Sequence, residues 1–275
     1  MTRVVAPTDV EEALSAIAAD RELEVLAGGT DFMVEVNFGH RVPRSVLSLH
    51  AIDELRGWSR DGDDLVLGAA VTCATLERAP FAALVPALAQ AARTVGSPQI
   101  RAAATIGGNL VTASPAGDLL PVLSALDATI ACASTHGRRD VSVHEFLLGP
   151  KRNALLEGEI VINVRVPVFG RPQEFLKVGT RNAMVIAVAS VAMVAGPDDV
   201  RIALGSVGPT VLRARRAETW FAANGFAVEL AEQLGRRVAD EARPIDDHRS
   251  TAGYRRHAIA VCTARASRRI FGRSP

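Results

Sequence analysis

The chain has 275 residues, 48% hydrophobic and 22% charged, with 31 basic against 30 acidic side chains and a formal net charge of +1. This composition excludes intrinsic disorder and collagen-like repetition, and the even charge balance removes the electrostatic case for nucleic-acid or anionic-membrane binding. Cys73, Cys132 and Cys262 lie far apart and form no CxxC pair, so they fit neither a disulfide framework nor a zinc or iron–sulfur site, and any redox chemistry here needs an organic cofactor.

The opening segment, MTRVVAPTDVEEALSA, lacks the apolar core and cleavage site of a signal peptide, which predicts a cytoplasmic location. Thr8-Asp9-Val10-Glu11 has capping-box form ahead of Leu14, Ile17 and Ala18, predicting a helix from Asp9 to Ala19. Leu23 to Ala27 reads as a strand running into Gly28-Gly29-Thr30-Asp31, and Val46 to Leu49 as a second strand. Asp61-Gly62 splits Trp58 to Val71 into a hairpin, and the Ala- and Leu-rich run Pro80 to Val95 predicts one helix. From Ala128 the strand pattern returns, with a turn at His136-Gly137, a second capping box at Ser142-Val143-His144-Glu145, and an alternating strand over Glu159 to Pro167.

Phe169-Gly170-Arg171-Pro172-Gln173 breaks all periodicity and predicts a boundary near residue 170, dividing the chain into 1–170 and 171–275. The second part carries strand patterns over Phe175 to Gly179, Val185 to Val194 and Val200 to Val207, the last two joined by Gly196-Pro197-Asp198-Asp199. Helical spacing follows over Ala227 to Glu241 and Gly253 to Arg269. The weakly polar stretch Ala183 to Pro197 is shorter than the roughly 20 residues of a membrane helix and predicts buried core.

Two glycine pairs stand out, in Leu26-Ala27-Gly28-Gly29-Thr30-Asp31-Phe32 and in Ala104-Thr105-Ile106-Gly107-Gly108-Asn109-Leu110. Glycine lets successive backbone N–H groups share one concavity, so two such turns predict a clamp for a diphosphate, with Thr30, Thr105 and Asn109 adding side-chain hydrogen bonds. A lone glycine pair more often marks only a sharp turn. No glycine is followed by lysine, which excludes a P-loop, and neither pair fits the GxGxxG of a Rossmann fold.

The run Gly96-Ser97-Pro98-Gln99-Ile100-Arg101, the TIGGN turn and the segment Ser114-Pro115-Ala116-Gly117-Asp118-Leu119-Leu120-Pro121 together resemble the FAD-binding medium subunit or domain of the molybdenum hydroxylases, a family that includes xanthine dehydrogenase and aerobic carbon monoxide dehydrogenase. Arg201 to Thr210 and Tyr254-Arg255-Arg256-His257 resemble the family's smaller C-terminal domain, so the likeness covers essentially the whole chain. It implies an α+β architecture: a two-lobed FAD-binding domain of the PCMH and vanillyl-alcohol-oxidase type, then a domain with a three-stranded antiparallel sheet and helices. It implies noncovalent FAD, held at the first turn by Leu26, Ala27, Gly28, Gly29, Thr30, Asp31 and Phe32, and at the second by Thr105, Gly107, Gly108 and Asn109. Thr112, Ser114 and Asp118 are implied near the flavin nucleotide, and Ile162 against its ring. Asp118 has a second reading, as the cap of a helix beginning at Leu119.

Lys177 is one of only two lysines among 29 arginines, and it matches the family's lysine at the pyrimidine edge of the flavin. A cation there would stabilise charge on the reduced ring; the alternative is a solvated lysine on an edge strand. Arg181 reads as a structural partner. The six histidines lack metal-ligand spacing, and a Ser-His-Asp triad has no GxSxG to support it. The resemblance further implies an electron-transfer subunit. It would be paired with a large molybdopterin subunit and a small subunit of two [2Fe-2S] clusters in a heterotrimer, passing electrons to NAD, oxygen or a quinone. Two other readings are a self-sufficient FAD oxidoreductase and a non-redox binding or assembly protein that keeps the fold.

Overall fold

The computed structural model describes residues 2–168, 170–196 and 198–272. Phe169 and Pro197, which fall in the two sequence breaks, lie outside the described residues. Three layers of structure follow one another along the chain. The first lobe is a parallel sheet of β1 (Arg3–Val5), β2 (Leu23–Leu26) and β3 (Ser45–Ser48), in the order β1-β3-β2. Its crossover helix, Val10–Ala19, buries Val10, Ala13 and Leu14 against Leu23 and Leu47. The cap lies one residue later than expected: Asp9 accepts from the Glu12 N–H at 2.7 Å, and the Glu12 carboxylate accepts from the Thr8 N–H at 2.9 Å. The expected box of Thr8 and Glu11 is thus replaced by an Asp9 cap, with Glu12 reaching back past it to Thr8.

The second lobe is an antiparallel sheet built from β4 (Trp58–Asp61), β5 (Asp64–Gly68), β6 (Thr129–Ser134) and β7 (Gly137–Ser142), followed, after the small hairpin β8 (Leu147–Gly149) and β9 (Arg152–Asn153), by β10 (Ile160–Pro167). The order is β4-β5-β10-β6-β7, which puts β10 at the centre. One face carries the helices Pro86–Thr94, Ile106–Thr112 and Leu119–Ala125, over a core containing Leu65, Leu67, Leu88, Leu123 and Val164. The single helix read over Pro80 to Val95 is two, Phe81–Leu84 and Pro86–Thr94. Pro86 lacks an N–H and drives Val85 out of helical geometry, to φ −138° and ψ 66°.

The C-terminal domain is an antiparallel sheet of β11 (Gln173–Gly179), β12 (Ala187–Ala195) and β13 (Val200–Gly205), with a two-residue β14 (Leu212–Arg213) paired to β13. Every residue of β12 is buried. Ala192 and Val194 enter the core shared with the second lobe, while Ala189, Val191 and Met193 face the long helix Ala252–Phe271 and the helix Ala231–Glu241. The two-residue period of the strand thus serves two cores at once, which is why its sequence reads as apolar throughout. Among the described residues no helix is long and apolar enough to cross a membrane.

Candidate cofactor-binding site

A cavity of about 660 Å³ opens where both lobes meet the C-terminal domain, within the roughly 300–1,000 Å³ common for ligand sites. Its first wall is the turn after β2. Gly28 is required there, because a Cβ at this position would lie 1.8 Å from the Ala103 carbonyl oxygen, and this close approach packs the turn onto the end of the helix Pro98–Ala103. Gly29 takes φ +71°. The N–H groups of Ala27 through Phe32 have no hydrogen-bond partner among the described residues. Six successive open donors line one rim, the arrangement that favours an anion.

The second turn is built differently. Thr105 is the N-cap of the helix Ile106–Thr112, accepting from the Gly108 N–H at 3.0 Å; the Gly107 N–H goes to Ala69 O at 2.8 Å and the Asn109 N–H to Thr105 O at 3.0 Å. The amides from Ile106 to Asn109 are already used, so the expectation of a second amide cradle is corrected: the TIGGN run is a helix start. Glycine serves packing at Gly107, where a Cβ would lie 2.7 Å from Ala69 O. The turn offers the cavity a surface without side chains and Asn109, whose buried Oδ1 has no partner.

Thr112, Ser114 and Asp118 continue this wall, so all seven first-turn residues, the four second-turn residues and these three line one cavity. Asp118 occupies the N-cap position before Leu119 but makes no capping hydrogen bond. Its Oδ2 accepts instead from Lys177 Nζ at 2.6 Å and from Thr94 Oγ1 at 3.3 Å, and its buried Oδ1 has no partner. Burial raises the Asp118 carboxyl to about 6, outweighing the opposing pull of Lys177 and Thr94.

Two expected residues stand elsewhere. Lys177 does not line the cavity: although β11 is an edge strand, its side chain is 6% exposed, and its ammonium is held by Asp118 and by Thr94 O at 3.0 Å. It is therefore not a solvated lysine on an edge strand. Ile162 is likewise displaced, lining a small cleft beside Trp58 and Asn163 while Ile160 and Val161 line the main cavity. Ile162 keeps the face of Ile160 and packs with it in the first-lobe core, two residues further along the strand, while the bulge between Val161 and Asn163 brings Val164 and Val166 into the core that holds Val161. Arg181 acts structurally, donating to Met184 O.

Sequence reasoning missed the third wall. Met184, Val185 and Ile186, from the loop between β11 and β12, face the first turn across the cavity. Val25, Ile100, Val111, Met184 and Ile186 are 37–55% exposed while lining it, an apolar surface of the kind that planar rings cover. Lys151 also lines it and donates to Glu35 Oε1 at 2.7 Å, bridging the β8–β9 turn to the helix Phe32–Asn37. That hydrogen bond holds the Glu35 carboxyl below its ordinary range. The rarity of lysine was the only sequence signal for Lys151.

Ser124, His144 and Asp127 do meet, at 3.5 Å and 2.7 Å, but Ser124 is 2% exposed, none of them lines the cavity, and Asp127 is tied to Arg213 and Arg201. Among the described residues no cluster of His, Cys, Asp or Glu is placed to hold a metal ion. Burial raises the Cys73 thiol to about 12 and Cys132 to about 11, so both stay protonated.

Comparison with known proteins is consistent along the chain. Residues 1–169 match the FAD binding domain in molybdopterin dehydrogenase, and residues 174–270 the CO dehydrogenase flavoprotein C-terminal domain. The chain is 32% identical to the nicotinate dehydrogenase FAD-subunit of Eubacterium barkeri, over 82% of this chain and 81% of that one. It is 29% identical to the glyceraldehyde dehydrogenase medium chain of Sulfolobus acidocaldarius, over 95% of each. A structure of carbon monoxide dehydrogenase from Hydrogenophaga pseudoflava, in a form lacking the Mo-pyranopterin moiety of its molybdenum cofactor, superposes with a TM-score of 0.87 at 28% identity, covering 100% of this chain and 98% of that one. The chain therefore belongs to the family of FAD-binding subunits of the molybdopterin dehydrogenases and is an oxidoreductase subunit of that kind.

Proposed function

We propose that this cavity holds FAD noncovalently and that the chain is the electron-transfer flavoprotein of a molybdenum hydroxylase. The observation that carries the reading is the row of six N–H groups without a partner at Ala27–Phe32, in residues that line one cavity together with Asn109 and Asp118, whose buried Oδ1 atoms have no partner either. Donors without partners fit a diphosphate, and acceptors without partners fit ribityl hydroxyls and ring N–H groups. The partly exposed apolar walls fit the two ring systems.

In this reading Leu26, Ala27, Gly28, Gly29, Thr30, Asp31 and Phe32 hold the diphosphate, and Thr105, Gly107, Gly108 and Asn109 close over it. Thr112, Ser114 and Asp118 meet the flavin nucleotide, and Met184, Val185 and Ile186 shield the ring from the side of the C-terminal domain. When bound, FAD accepts and releases electrons singly or in pairs. The chain's own residues bind it, orient it and exclude water. The division near residue 170 then separates a unit, 1–170, that binds the nucleotide from one, 171–275, that covers it.

The partners follow from the same reading: a large molybdopterin subunit and a small subunit with two [2Fe-2S] clusters, in a heterotrimer located in the cytoplasm. Electrons would pass from the clusters to the flavin and on to NAD, oxygen or a quinone. Two relatives are themselves described as a medium chain and an FAD-subunit, which supports a multi-subunit assembly over a self-sufficient enzyme.

Titration of the flavin-stripped chain with FAD, paired with affinity purification from its native host, tests both halves. One FAD bound per chain, with co-purified molybdenum and iron–sulfur subunits, is the expected result. A chain that binds FAD but recovers no such subunits would support the self-sufficient enzyme, and a chain that binds none would leave a non-redox protein of this fold.

A further inference from the structure

The resemblance places Lys177 against the flavin, whereas the structure spends its ammonium elsewhere. We propose that Lys177 is a positioning residue that reaches the cofactor only through Asp118, gripping one carboxylate oxygen so that the other is aimed, ionised, into the cavity. This rests on the reading of the cavity as the FAD site.

The geometry is asymmetric. Lys177 Nζ and Thr94 Oγ1 both bind Oδ2 of Asp118, at 2.6 Å and 3.3 Å, while Oδ1 is buried, has no partner and belongs to a residue lining the cavity. Nζ is anchored in turn by Thr94 O at 3.0 Å, so β11 and the end of the helix Pro86–Thr94 fix the carboxylate from behind. Of the pair, only Asp118 belongs to the cavity wall, and its Oδ1 is the atom left without a partner.

Electrostatics gives the lysine its task. A carboxyl this buried takes up a proton unless a cation opposes it. With Lys177 in contact, Asp118 still titrates near 6, so without that cation it would carry a proton at neutral pH and lose the charge that a ribityl hydroxyl or a ring N–H would meet. Among the described residues no second cation substitutes. The other titratable group facing Asp118 is the Cys73 thiol, pushed up to about 12 and hence neutral, and beyond it Arg101 is paired with Glu77 at 3.1 Å.

The test is a double-mutant cycle of Lys177→Met, Asp118→Asn and the double variant, reading FAD dissociation constant and flavin midpoint potential from pH 5 to 9. Lys177→Met should weaken FAD at pH 7 by at least about tenfold, the scale of one charged hydrogen bond, with recovery at higher pH as Asp118 ionises. In the Asp118→Asn background the same change should add nothing to the affinity loss or the potential. Equal losses in both backgrounds would mean that Lys177 touches the cofactor itself, and a loss independent of pH would mean that it acts only by packing; either overturns the proposal.

Should Lys177→Met fail to fold, the wild-type profile decides. Affinity should hold above pH 6 and fall as the pH drops through 6, while the Asp118→Asn profile stays flat across that range; a flat wild-type profile contradicts the proposal. Failure of the wild-type chain to bind FAD at any pH is a separate result, which removes the cofactor reading and this inference with it.

Discussion

Gly28 and Gly108 belong to similar sequence motifs, yet they face different constraints. A methyl group on Gly28 would meet the Ala103 carbonyl oxygen at 1.8 Å, with backbone on both sides of the contact. Gly28→Ala should therefore cost about 1–3 kcal/mol in urea unfolding, as overpacking does, and also loosen FAD, because the turn must move. Gly108 meets only the Thr105 hydroxyl, at 2.8 Å. Gly108→Asp puts a negative side chain into the first turn of its helix, where the dipole tolerates it, and opposite a diphosphate, which does not. It should stay folded by circular dichroism and fail to retain FAD; normal FAD content in the folded variant would remove the second turn from the site. The chemistry of both glycine pairs was legible because it resides in the backbone. The address of Lys177 was not, since its partners Asp118 and Thr94 come from elements 59 and 83 residues away.

Among the elements, the helix Ile106–Thr112 shows what a motif conceals. Its Thr105 cap is readable from composition, yet the glycines drew attention to anion binding when the N–H groups from Ile106 to Asn109 were already committed within the protein. Thr105→Ala should cost about 1 kcal/mol, the usual worth of an N-cap, and Thr105→Ser should restore most of it. Equal stability of all three in urea would contradict the assignment of the cap. Strand β10 makes the complementary point. Its alternating sequence located the strand, but the bulge that brings Val164 and Val166 into the core of Val161 is a property of its pairing with β6, about thirty residues earlier, and no pattern within β10 announces it. Helix breaks obey local rules, by contrast, and Pro86 was visible inside the run read as one helix.

For the whole molecule, the cavity depends on how the C-terminal domain is held. β12 supplies side chains to two cores, and Arg213 adds a polar clasp: it donates to both oxygens of Glu218, to Asp127 and to the Ser124 carbonyl of the second lobe, with its side chain only 8% exposed. Arg213→Ala leaves the Glu218 carboxylate, 11% exposed, with no cation and only the Ile202 N–H to meet it, and should destabilise the chain by about 3–5 kcal/mol in urea, the range for breaking a buried pair from one side. A loss below about 1 kcal/mol would show the clasp to be incidental. This clasp joins residues 89 and 86 positions apart, and nothing local in the sequence announces that Met184–Ile186 line the same cavity as the turn after β2. The central claim is that this shared cavity holds FAD without a covalent bond. Its most direct test is the absorption spectrum of the purified chain, before and after heat precipitation. The two visible flavin bands should be present at one FAD per chain and pass wholly into the supernatant, whereas flavin that stays with the precipitate, or a colourless chain that added FAD cannot reconstitute, would contradict it.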